Sequence, residues 1–161
     1  MSRKTVRDQI VLYLTNGYLS GLNQIFTSFP KRINFQVNSM PGQLSRAAAV
    51  VFIESEIESR IAIGGAHNGW KRVDYGIALQ VFHHSSERTA ELAMENFDEL
   101  IDTIKDYLRA DHNFGDTTGT IVWQGAEPSI STTYGTPTTT DGGTTETWCQ
   151  IRFEVTEMIQ A

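Results

Sequence analysis

The stretch AAAVVFIESEIESRIAI, residues 47–63, decides the fold. Its odd positions, Ala47, Ala49, Val51, Ile53, Ser55, Ile57, Ser59, Ile61 and Ile63, are all small or apolar, while Glu54, Glu56, Glu58 and Arg60 fall on even ones. Period-two alternation marks strands with one buried face. As a single strand the stretch would reach about 55 Å at roughly 3.3 Å per residue, beyond the usual length, so two strands joined by a turn are expected. A two-residue loop would exchange the parity and send Glu58 and Arg60 to the core, whereas an odd-length loop near Glu54 to Glu58 keeps the apolar set together.

Working outward, GGAHNGWKR (Gly64–Arg72) reads as a glycine-rich connection, and a long strand follows from about Val73 to His83. Val73, Tyr75, Ile77, Leu79 and Val81 take one of its faces. Next comes an amphipathic helix that Ser85 or Ser86 can cap. Ala93, Phe97, Leu100, Ile101, Ile104 and Leu108 recur at spacings of three and four. Its outer face carries Glu91, Glu95, Asp98 and Asp102 early and Lys105 and Arg109 late, matching the helix dipole. Asp111-His112 lies in the turn that closes it.

Upstream, Val6, Ile10, Tyr13 and Leu14 share a helical face that Asn16-Gly17 ends. Ile33, Phe35 and Val37 alternate with polar residues as in a half-buried strand. Downstream, strands are expected at Thr120–Gln124 and about Thr147–Met158. The order is therefore helix, strands, helix, strands: an α+β domain with a mainly antiparallel sheet and two helices packed on one face.

A chain of 161 residues with 40% hydrophobic and 20% charged composition fits one soluble domain, residues 1–161. A net charge of −6 with no cluster of Lys and Arg argues against tight nucleic acid binding. The apolar run Ile10 to Leu14 is too short for a signal or a membrane span, so neither export nor a membrane is expected. Cys149 has no second cysteine to pair with and reads as a small buried hydrophobe.

A search for reactive chemistry mostly fails. His83 and His84 point to opposite faces of a strand and cannot chelate one metal together. Glu54, Glu56 and Glu58 would share a face in an extended strand and form a weak site for a hard cation, unless the expected turn falls there. GGAHNG lacks dinucleotide-fingerprint spacing and a P-loop Lys-Ser/Thr. No catalytic residue, cofactor or metal is assigned. A small enzyme using His67, Asp74 or His84 is the remote alternative.

TTYGTPTTTDGGTTET, Thr132–Thr147, points instead toward assembly. Its stiff threonines suit a solvated strand, and Asp141-Gly142-Gly143 is a tight-turn signal. A projecting polar hairpin or loop is expected, mobile alone and ordered against a neighbour.

The phrases RIAIGGAHNGWKRVDYGIALQVFHHSS, LIDTIKDYLRADHNFG, IVWQGAE and IRFEVTEMIQA resemble tail terminator (tail-completion) proteins of long-tailed bacteriophages, those of actinobacterial phages in particular. The likeness covers about Ala47 to the C-terminus. It implies a virion structural protein without catalysis: a homo-oligomeric ring, hexameric in this family, that caps the tail tube, stops its polymerisation and offers its other face to the head connector. It also implies a location at the head-proximal end of the virion tail after assembly in the bacterial cytoplasm, with DNA crossing an acidic lumen unbound. Gly64, Gly65, His67, Asn68, Lys71 and Arg72, the Glu54, Glu56 and Glu58 turn, and Tyr134, Thr138, Thr139, Thr140 and Asp141 are the expected contacts with self, tail tube protein and connector. A head-tail connector or neck protein of the same virion class is the nearer alternative.

Overall fold

The computed structural model describes residues 3–60, 69–116, 121–123 and 129–160. Helix α1 (Arg3–Asn16) precedes strands β1 (Leu22–Phe26), β2 (Ser45–Arg60) and β3 (Trp70–Ser85). Helix α2 (Ala90–Ala110) follows, then β4 (Ile121–Trp123), β5 (Ser131–Tyr134), β6 (Thr138–Thr139) and β7 (Thr145–Gln160). One sheet runs β1-β2-β3-β7-β4, with β5 and β6 also on β7. All pairings are antiparallel except β1 with β2. The architecture is α+β, as expected.

Both helices lie on one face. Val6, Ile10, Tyr13 and Leu14 of α1 and the Phe97 to Leu108 stripe of α2 share one buried core with the odd residues of β3 and β7. Two tyrosines staple the helices together. The Tyr13 hydroxyl donates to the Tyr107 carbonyl (2.6 Å), Tyr107 donates back to the Tyr13 carbonyl (2.9 Å), and the rings stack at 4.3 Å. Burial pushes the Tyr13 hydroxyl up to about 12. Cys149 sits fully inside this core, and burial lifts its thiol to about 12 as well.

Three details differ from expectation. The α2 N-cap is Thr89, whose hydroxyl accepts from the Leu92 amide (3.1 Å), because the strand pairing of β3 continues through Ser85 and delays the helix start. The 33–37 segment is no strand. Gln24 and Asn23 donate side-chain bonds to the carbonyls of Asn34 and Asn38, and the segment turns beside β1 instead. Its Phe35 packs flat on His84 (5.0 Å) on the sheet face away from the helices, and Phe29 lies on Phe52 there.

The third difference is the largest: 47–60 contains no turn. β2 is one strand of 16 residues, matched by β3 and β7 at 16 each. The parity problem is solved by a bulge. Ile53 pairs with Ile77 but Ser55 pairs with Gly76, leaving Glu54 as the extra residue. Before it, Ala47, Ala49 and Val51 face the helices, and after it Glu56 stands opposite Tyr75 and Glu58 opposite Val73. Ile57 therefore leaves the core face and is 66% exposed.

The Thr-rich stretch is a hairpin, but it folds along its own sheet. β5 and β6 pair with β7, the Gly135 amide donates to the Trp148 carbonyl (2.8 Å), and the tip closes through the Thr140 amide to the Thr144 carbonyl (2.8 Å). A single chain thus supplies the backbone partners that were expected from a neighbour.

Candidate functional site

Beyond the bulge β2, β3 and β7 continue together as a long arm. The residues of β2 from Glu54 to Arg60 are all exposed, and beyond Val50 no strand among the described residues covers the outer edge of β2. On the opposite edge β4 pairs with β7 from Glu157 to Val155. The arm thus offers one open row of backbone donors and acceptors, with Ile57 and Trp70 as exposed apolar side chains. A bulge and alternating charges blunt such an edge against indiscriminate pairing.

Ion pairs order both faces of the arm. Glu54 lies on the outer face, where Arg152 Nε meets its two carboxylate oxygens at 3.2 and 3.1 Å. Asp74 Oδ1 on the same face accepts from Arg72 Nε (2.8 Å) and Thr156 Oγ1 (2.7 Å). On the helix side, Arg3 Nε lies 3.6 Å from Glu56, and Lys71 Nζ donates to Glu58 (3.2 Å). The bulge therefore splits the three glutamates between two faces and gives each its own cation, which removes the geometry of a shared cation site. Among the described residues, no three His, Cys, Asp or Glu side chains gather to hold a metal ion.

At the root of the arm Tyr75 and Glu157 are buried together. The Tyr75 hydroxyl donates to Glu157 Oε1 (3.1 Å), and Oε2 has no partner among the described residues. Desolvation raises the Glu157 carboxyl above its ordinary range.

Of the residues expected at a contact surface, Glu54, Glu56, Glu58, Lys71 and Arg72 come together on the arm. Tyr134, Thr138, Thr139, Thr140 and Asp141 belong to the hairpin on the far side of β7. Gly64, Gly65, His67 and Asn68 lie outside the described residues. Asp74 and His84 are ten positions apart on β3, about 33 Å at roughly 3.3 Å per residue, so they do not converge on one cleft. His83, near the end of β3, is buried against Phe97 (5.2 Å), and desolvation lowers its imidazole to about 4.

Sequence reasoning passed over a second feature. The segment Pro30–Phe35 crosses the outer sheet face and, with Phe82, Glu146 and Trp148, encloses a cleft of about 490 Å³. Lys31 and Arg32 at its rim are exposed and have no carboxylate partner among the described residues. The adjacent cations in FPKRINF, flanked by aromatics in an acidic chain, were the available signal.

No known protein-family model and no curated protein matches the sequence. No helix among the described residues is long and apolar enough to cross a membrane.

Proposed function

We propose that this chain is a structural protein of a phage virion: a ring-forming tail terminator that caps the tail tube at its head-proximal end and docks the head connector. The observation that carries the reading is the arm. Three long strands run past the point where β2 loses its buried face, and they present an open edge with an exposed Ile57 where a lone domain would keep polar cover. Such an edge serves assembly by strand addition or packing better than it serves chemistry. The phrases that resemble tail terminators fall on β3, β7, β4 and α2, two of which, β3 and β7, form the arm together with β2. A charge of −6 per subunit suits a lumen through which DNA passes unbound.

Electron microscopy of particles made without the protein tests the reading. Overlong tails are expected, because polymerisation loses its cap. Tails of normal length that fail to join heads would overturn it in favour of a connector.

A further inference from the structure

The cleft under Pro30–Phe35 and the outer surface of α2 carry opposite charges. On α2, Glu91, Glu95 and Asp98 are exposed and lie along one helical stripe, and no cation pairs with them among the described residues. Tyr134 flanks this stripe, 52% exposed, its ring edge-on to Phe97 (6.3 Å). The cleft has aromatic walls, Phe35, Phe82 and Trp148, with unpaired Lys31 and Arg32 at its mouth.

Both surfaces lie at the same end of the sheet but on opposite faces. Tyr134 pairs with Cys149 and shares its helix-side face, while the neighbouring Trp148 lies over Gly135 on the other. One copy cannot bring its own α2 stripe to its own cleft. A second copy can.

Resting on the ring-forming reading, we infer that the cleft of each subunit receives the α2 face of the next, with Tyr134 as the anchor and Lys31 and Arg32 opposite Glu91, Glu95 and Asp98. An aromatic anchor in an aromatic cleft supplies most of the affinity of such a contact, and the rim charges set its orientation and suppress wrong partners. The contact is head-to-tail, the kind that closes a ring when the rotation between neighbours divides a full turn. It also leaves the arm free for a different partner.

Charge reversal tests this through the mass of the assembly in low-salt solution. Lys31→Glu with Arg32→Glu places like charges face to face, and oligomerisation should weaken about tenfold or more. Glu95→Lys with Asp98→Lys should do the same, and the four changes together should restore assembly. Circular dichroism of each variant confirms that the exposed substitutions leave the fold intact. An oligomer indifferent to either reversal, or a fourfold variant that stays dissociated, overturns this contact while leaving the ring reading standing. A wild-type chain that is monomeric throughout removes both.

Discussion

Tyr75 and Glu157 meet inside the root of the arm, the phenol donating to the carboxyl across 3.1 Å with neither side chain reaching solvent. Desolvation holds the Glu157 proton at a pH where an exposed carboxyl has lost it. The folded chain then binds more protons than the unfolded one between the ordinary carboxyl range and the raised value, so stability falls as pH rises through that window. Glu157→Gln keeps an acceptor for Tyr75 and carries no charge. Urea denaturation at a series of pH values should show wild type losing stability relative to this variant as pH rises; parallel curves would contradict the buried acid.

His83 gives the opposite slope. Its imidazole titrates at about 4 in the fold against 6.5 when unperturbed, so the unfolded chain takes up the proton first on acidification. Stability is complete above 6.5 and declines toward 4, by about 1.4 kcal/mol per pH unit within the window. Replacing His83 by Leu should flatten that acid limb, as read by thermal melts from pH 7 downward.

Gly135 lies under the Trp148 indole, so closely that a Cβ there would overlap the ring. Gly135→Ala should therefore cost about 1–3 kcal/mol of stability. Combining it with Trp148→Ala should recover part of that loss, because the obstacle is then gone. Additive losses in the double variant would show that the glycine is needed for its backbone alone.

Under the proposed function, a change at Ile57 separates folding from assembly. An exposed side chain on the arm contributes little to the monomer, so Ile57→Asp should change its unfolding free energy by no more than about 0.5 kcal/mol. Binding to tail tube protein, followed by sedimentation, should be lost. A variant that binds as wild type does would exclude this face of the arm from the contact.

The sequence disclosed what periodicity can encode. The α2 stripe and the alternating runs of β3 and β7 were legible because each buries one face throughout, and Cys149 was legible as a buried small side chain in the same alternation. What escaped was non-local. The bulge at Glu54 is set by pairing with β3, so the letters of 47–63 alone suggest a turn where the chain continues straight. Phe35 and Ile33 alternate as strand residues do, yet their partners are His84 and the cleft wall rather than a sheet ladder. Glu157 sits at an apolar-face position of a polar sort that only the fold could show to be buried with Tyr75. The Thr-rich hairpin was legible as a hairpin, while its docking on β7 depended on the register.

The most direct measurement is native mass spectrometry of the purified chain, alone at high concentration and with tail tube protein added. On the proposed function a closed ring of identical subunits is expected, hexameric as the resemblance implies, with the ring persisting on the tube protein. A species that is monomeric at every concentration, and still monomeric with tail tube protein present, would contradict the proposed function.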